Sequence, residues 1–235
     1  MMKKRRIHRP KHTSFGADIG TGILFALFLI SLGLILAINM RFLYYASIKW
    51  FNLEETSGLS YQIIKENYNA LIDYCSPFYQ GKLVFPTLAA SASGISHFAE
   101  VKVIFNAFYL MFAITTIALI VIIVIKHRKG QYRYLLVSSI TSIVLPLITL
   151  AASAIDFETT FLVFHKIAFR NDDWLFDPNT DPIITLLPES FFLQCALIIV
   201  AIVLLGSLIL FLIYRHLKKK NHPMKLTSRK VNYYY

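Results

Sequence analysis

Four long apolar stretches separated by polar segments dominate the pattern of this chain. Each stretch is free of Lys, Arg, Asp, Glu and His, and each has about the 20 residues that a helix needs to cross ~30 Å of hydrocarbon. The pattern predicts a single all-α integral membrane domain over residues 1–235, with four transmembrane helices. The predicted spans are residues 21–39, 103–125, 135–155 and 191–214.

The distribution of charge predicts the orientation of these helices. Residues 1–20, 126–134 and 215–235 hold 17 of the 24 Lys and Arg residues, whereas 40–102 and 156–190 hold 12 of the 13 acidic residues. Lys and Arg concentrate in the cytoplasmic segments of membrane proteins. We therefore expect both termini to be cytoplasmic and the two acidic segments to form long extracytoplasmic loops.

Both extracytoplasmic loops are expected to carry short amphipathic helices. Apolar residues recur at helical spacing over residues 60–74. The Phe-rich segment 157–169 is too short to span a bilayer, so we expect it to lie against the membrane surface or to re-enter it. Residues 83–86 are typical of a strand or an extended piece, and Ser96 is the predicted N-cap of the helix that leads into the second span.

Composition excludes some functions. The net charge of +11 does not indicate nucleic-acid binding, because the basic residues are divided among short membrane-flanking stretches, where they favour a fixed topology and contact with anionic membrane lipid. The spans lack the ionisable groups that proton-coupled transport usually needs. Cys75 and Cys195 are interpreted as separate thiols, since a disulfide would require the first loop to fold down onto the fourth span.

Two histidines are candidate catalytic groups. His97 and His165 are the two that fall in extracytoplasmic segments, and both lie near the predicted membrane surface. Histidine suits acid–base work on a lipid headgroup. Glu100 shares a helical face with His97. The loop after His165 adds further polar candidates: Arg170, Asn171, Asp172 and Asp173. Alternatively, both histidines could be interfacial residues that are hydrogen-bonded to loop carbonyls.

A metal site is another interpretation of the same residues. His97 and Glu100 could bind zinc together with His165 and an aspartate of the pair 172–173, but the spacing matches no recognised zinc signature. We therefore expect no metal. The chain has no nucleophile elbow, P-loop or dinucleotide fingerprint. Cys75 is disfavoured as a nucleophile because neighbouring acidic residues would raise the pKa of its thiol.

Four motifs carry a family resemblance. They occur in order between the spans: NYxxL at 67–71, SHFxxVK at 96–102, HxxxFRNDxW at 165–174 and LPExFF at 187–192. In these motifs and in its four-span layout the chain resembles the lipoprotein intramolecular transacylase (Lit) family of bacterial integral membrane proteins. The resemblance covers most of the chain, from the first span through the fourth.

The resemblance implies an acyltransferase of the bacterial cell membrane with its active site on the extracytoplasmic side. Its substrate would be a lipoprotein whose N-terminal cysteine carries a diacylglyceryl thioether and a free α-amine. The enzyme would move the sn-2 acyl chain from the glyceryl oxygen onto that amine, giving a lyso-form lipoprotein without any cofactor. The family's two functionally important histidines map onto His97 and His165.

Other residues of the site have roles that fit this reaction. Arg170 and Asn171 are candidates for stabilising the oxyanion that forms at the ester carbonyl. Glu100, Asp172 or Asp173 could orient a histidine. Two other functions fit the sequence: a non-enzymatic membrane adaptor or sensor with partner-binding loops, and a zinc-dependent membrane hydrolase.

Overall fold

Four long apolar helices form the body of the molecule. The computed structural model describes residues 14–221; the basic segments at the two ends of the chain, on which part of the predicted topology rests, lie partly outside the described residues. By length and hydropathy, each of the four helices can cross a membrane, which confirms the all-α, four-helix prediction. They are α1 (Phe15–Asn39), α5 (Ala92–Arg128), α6 (Arg133–Ile155) and α8 (Glu189–Asn221).

Helix α1 is the centre of this bundle. It packs against α5, α6 and α8, and α6 also packs against α8. Small residues allow the close approach. A Cβ at position 22 would lie 2.9 Å from the Thr141 side chain, and one at position 33 would lie 3.1 Å from the Ile199 backbone, so glycine is needed at both crossings.

A buried ionic cluster joins three helices at one end of the bundle. The Asp18 carboxylate of α1 is fully buried. It accepts hydrogen bonds from Lys126 Nζ of α5 at 2.8 Å and from Arg133 Nε of α6 at 2.7 Å. Removing one partner of such a buried pair typically costs about 3–5 kcal/mol, so this contact fixes the mutual positions of α1, α5 and α6.

The opposite end of the bundle carries a folded cap region, which we define as residues 40–91 and 169–188. Its helices are α2 (Arg41–Trp50), α3 (Leu53–Ser57), α4 (Tyr61–Cys75) and a 3₁₀ helix (Pro182–Leu186). The rings of Tyr44 and Tyr68 stack at 3.5 Å, and Tyr44 Oη donates to Leu186 O at 2.8 Å. The cap region therefore has a hydrophobic core of its own, on which α8 begins.

The structure decides three local predictions and corrects one of them. The helix predicted over residues 60–74 is present as α4, with Ser60 as its N-cap. Residues 83–86 form no strand, which leaves the extended piece as the alternative that remains of the two predicted there. Helix α5 begins before Ser96, because the Ser91 hydroxyl accepts a hydrogen bond from the Gly94 backbone N–H and caps the helix five residues earlier.

Helix α7 (Phe157–Ala168) lies apart from the bundle core. The Asp156 carboxylate caps it by accepting from the Thr159 backbone N–H at 3.0 Å. None of its residues is buried, and Ile167 is 76% exposed. This apolar, unburied helix has the character expected of a membrane-surface element. Its last turn carries His165.

Candidate active site

His97 lies near the start of α5, before the apolar run of that helix begins. Its side chain is only 5% exposed and packs edge-on against Phe169, with 4.6 Å between ring centroids, and against Phe176, at 5.4 Å. Burial lowers the pKa of His97 to about 4, with a further lowering from His165 that is opposed by Asp173. The ring is therefore neutral at physiological pH.

His165 faces His97 from the last turn of α7. The centroids of the two rings are 6.2 Å apart, although 68 residues separate them along the chain. His165 Nδ1 lies 2.8 Å from the carbonyl oxygen of Phe161. Because a carbonyl only accepts, Nδ1 carries the proton and Nε2 keeps the lone pair in the neutral ring. Burial lowers the pKa of His165, and the hydrogen bond to Phe161 partly opposes that effect.

Aromatic rings surround the histidine pair. His165 lies 4.1 Å from the ring of Phe161 and 5.1 Å from that of Trp174, and it contacts Phe169, which also contacts His97. The Trp174 indole N–H donates to the backbone oxygen of Asn171 at 2.9 Å, which holds the ring in place. These apolar rings lower the local polarity around the pair, most strongly at the buried His97.

A polar link ties the loop after α7 to α5. Asn171 Nδ2 donates to Glu100 Oε1 at 2.8 Å, and Asn171 Oδ1 accepts from the Asp173 backbone N–H at 3.1 Å. Two atoms beside this link are buried without a hydrogen-bond partner among the described residues: Glu100 Oε2 and His97 Nδ1. Buried polar atoms are normally satisfied, so these two mark the place where a bound ligand or an ordered water would complete the site.

The other predicted site residues are placed less closely. Asp173 is near enough to act on the charge of His97, whereas Arg170 and Asp172 are exposed. No hydrogen bond between Glu100 and either histidine is present in the described part of the chain, so the proposed orienting contact is not made in this state.

Sequence reasoning missed the residue that fastens the start of α5. Asp181 is 2% exposed, and its Oδ1 accepts from the Ser91 backbone N–H at 2.8 Å. A Cβ at position 94 would overlap this carboxylate, so glycine is needed there. The sequence carried no signal for this contact, because Gly94 precedes the predicted N-cap Ser96, and the glycine falls in the first turn only once α5 is seen to begin at Ala92. The contact fixes the turn that precedes His97.

The remaining candidates from the sequence are a metal site and the two cysteine thiols. Within residues 14–221, no three His, Cys, Asp or Glu side chains are grouped so that they could hold a metal ion. Cys75 and Cys195 are both free thiols, as expected. Burial, rather than the neighbouring acidic residues that the sequence suggested, raises the pKa of Cys75 to about 12, so that its thiol is a poor nucleophile.

Comparison with known proteins gives one consistent match. The model of the family described as "Lipoprotein intramolecular transacylase Lit" matches residues 19–192. A structure of the membrane integral lipoprotein intramolecular transacylase Lit from Bacillus cereus is similar, with a TM-score of 0.83 and 34% identity over 88% of this chain and 99% of that chain. No curated protein matches.

Two further Bacillus cereus Lit structures carry a single histidine substitution. The one with alanine has a TM-score of 0.79 and 36% identity, covering 87% of this chain and 93% of that chain. The one with arginine has a TM-score of 0.77 and 36% identity, covering 87% of this chain and 91% of that chain.

Proposed function

Because this chain belongs to the lipoprotein intramolecular transacylase (Lit) family and is an acyltransferase, we propose that His97 and His165 are its catalytic residues. The observation that supports this most is their proximity: the fold brings two histidines that are 68 residues apart in the chain to 6.2 Å between ring centroids, close enough to act on one substrate group. Family membership also sets aside the adaptor and the zinc hydrolase that the sequence left open.

The substrate is a lipoprotein, and the proposed reaction moves its sn-2 acyl chain onto the N-terminal α-amine. The amine nitrogen attacks the ester carbonyl, the C–N bond forms, and the bond from the carbonyl carbon to the glyceryl oxygen breaks. A neutral amine gives up one proton in this step, and the glyceryl oxygen takes one up. Because the nucleophile and the ester belong to one molecule, holding them together supplies much of the catalysis.

His165 suits the role of general base. Its Nδ1 proton is donated to Phe161 O, so Nε2 is the atom that can accept the amine proton and pass it to the leaving glyceryl oxygen. One side chain can then serve as base in the first half of the reaction and as acid in the second.

His97 suits the role of hydrogen-bond donor to the oxyanion. Its ring is neutral, buried, and has a nitrogen without a partner among the described residues. A neutral imidazole N–H that is already desolvated needs no reorganisation to stabilise developing negative charge. The earlier candidates for this role are less well placed: Arg170 is exposed, and Asn171 already donates to Glu100.

The active site is proposed to face the extracytoplasmic side of the bacterial cell membrane, with both termini in the cytoplasm and membrane lipid around the helices. The concentration of Lys and Arg in residues 126–134 and at the two ends of the chain supports this orientation. The histidine pair lies at the opposite end of the bundle from Asp18, within the acidic segments.

The proposed reaction can be tested on a purified diacylglyceryl lipopeptide with a free α-amine and no added phospholipid. Substrate and product should have the same intact mass. The amine should become unreactive, and one ester should be replaced by an amide that survives mild alkali. Release of a fatty acid, or a gain of one acyl chain in mass, would contradict the intramolecular transfer.

A further inference from the structure

We propose that the Glu100 carboxylate is the binding site for the protonated α-amine of the lipoprotein substrate, and that it separates unacylated from N-acylated lipoproteins. This inference rests on the proposed function. It assigns to Glu100 a ligand, a primary ammonium group. This replaces the role of orienting a histidine, because the structure shows no hydrogen bond between Glu100 and either histidine.

Glu100 lies beside His97 with one carboxylate oxygen held and the other unpaired among the described residues. It follows His97 by three residues on α5, which is nearly one helical turn, so both side chains project from the same face of the helix. Its Oε1 is held by the Asn171 amide at 2.8 Å, which fixes the carboxylate in one orientation. Its Oε2 is buried without a hydrogen-bond partner among the described residues. A held carboxylate with one open oxygen is a ready acceptor for a cation that carries N–H donors.

No nearby cation is paired with Glu100 among the described residues. Lys102, the next base on α5, donates to the Tyr79 backbone oxygen at 2.8 Å and lies over the Tyr74 ring, so it is engaged elsewhere. The other titratable groups that flank the link in sequence, on α5, α7 and the loop, are His97, His165, Lys166, Arg170, Asp172 and Asp173. Helix α4 also packs against α5, where its Tyr74 and Cys75 lie near Lys102. Lys166 and Arg170 are exposed, and both histidines have pKa values lowered by burial. No described ion pair neutralises Glu100, so the substrate cation is its fitting partner.

The reaction changes the charge of the group that Glu100 would bind. The α-amine has an ordinary pKa of about 7.7–8.0, so the substrate arrives mainly as an ammonium ion. Of its three protons, one remains on the product amide, one ends on the glyceryl hydroxyl, and one leaves to solvent. The product nitrogen is neutral, so it no longer compensates the carboxylate. Glu100 should therefore bind substrate more tightly than product and favour product release.

Binding of analogues that cannot react tests the site directly. A dialkylglyceryl peptide with ether linkages has no acyl group to transfer. We expect the wild-type protein to bind the form with a free amine at least about tenfold more tightly than the form with a hydroxyl in place of the amine, as for a charge-assisted hydrogen bond. Glu100→Gln should abolish this preference and leave binding of the hydroxyl form unchanged. Glu55→Gln, which changes an exposed carboxylate on α3, should keep the preference.

The pH dependence of turnover gives a second readout. A nearby carboxylate raises the pKa of a bound amine, so Glu100→Gln should shift the rising limb of kcat to lower pH, by about one unit. A purely structural role for Glu100 would lower kcat at every pH without moving the limb. Equal affinity of the wild-type protein for both analogues would overturn the proposal, as would an unmoved limb in Glu100→Gln.

The binding test can still be made if Glu100→Gln fails to fold. If Glu100→Gln does not accumulate, Glu100→Asp keeps the charge, and preference for the amine form should persist. A folded Glu100→Asp protein without that preference would also overturn the proposal. Because binding of the ether analogues requires no turnover, failure of the ammonium site is distinguishable from failure of the catalytic assignment to His97 and His165.

Discussion

His165 shows how one backbone hydrogen bond can decide the role of a side chain. With Nδ1–H held by Phe161 O, only Nε2 can accept a proton from the substrate. We predict that His165→Ala lowers kcat by about 10²–10⁴-fold, the usual contribution of a positioned acid–base group. His97→Ala should lower kcat by about 10²–10³-fold, the usual cost of removing one donor to an oxyanion. Steady-state turnover of the lipopeptide, normalised to the amount of protein in the membrane, measures this.

A histidine remote from the pair supplies the control. His127 lies at the far end of α5, where its ring contacts Tyr132. His127→Ala should leave turnover unchanged. Near-wild-type activity of either His97→Ala or His165→Ala would remove that residue from the mechanism.

The lowered pKa values of the two histidines predict a pH profile. A lowered pKa means that the neutral ring persists to more acid pH than an ordinary histidine, whose pKa is about 6.5. Protonation of His97 or His165 should therefore not limit kcat/KM near neutral pH, and the rising limb should follow the substrate amine at about pH 7.7–8.0. Lipopeptide turnover from about pH 5 to about pH 9 tests this, and a limb close to 6.5 would contradict it.

At the scale of helices, the apolar runs were readable from sequence because hydrocarbon imposes a minimum length and forbids charge. The residue at which α5 begins could not be predicted from the sequence. Ser91 and Ser96 both suit an N-cap, and Gly94 argues against a helix at that point until Asp181, 87 residues later, is seen to pack there. The approach of His165 to His97 was hidden for the same reason, because it depends on how α7 and its loop fold back.

The start of α5 can be probed with a matched pair of glycine substitutions. Gly94→Ala should place a Cβ against the Asp181 carboxylate, displace the turn before His97, and lower both activity and the thermal midpoint, at a cost of about 1–3 kcal/mol. Gly20→Ala in α1 meets no atom within 4 Å and should be neutral or slightly stabilising. Thermal unfolding in detergent together with turnover measures the difference. Equal behaviour of the two variants would show that the Asp181 contact does not position the helix.

At the scale of the whole molecule, the proposed orientation predicts which sites face the outside of the cell. In a background with Cys75 and Cys195 replaced by alanine, we expect Thr56→Cys on α3 to react with a membrane-impermeant thiol reagent on intact cells. Lys129→Cys, in the turn between α5 and α6, should react only after the membrane is opened. Labelling of position 129 on intact cells would contradict the proposed topology.

The ionic cluster at Asp18 sets an order for assembly of the protein during synthesis. Asp18 and Lys126 are separated by 108 residues, which a ribosome adds in about 5–20 s. For that interval Asp18 lacks Lys126 and Arg133, two groups that later contact its carboxylate. We expect the end of α1 that carries Asp18 to stay in contact with water until the hairpin of α5 and α6 has entered the membrane. Docking of the helices is therefore delayed until a particular point in translation, and a chain that stops before residue 126 lacks the means to complete it.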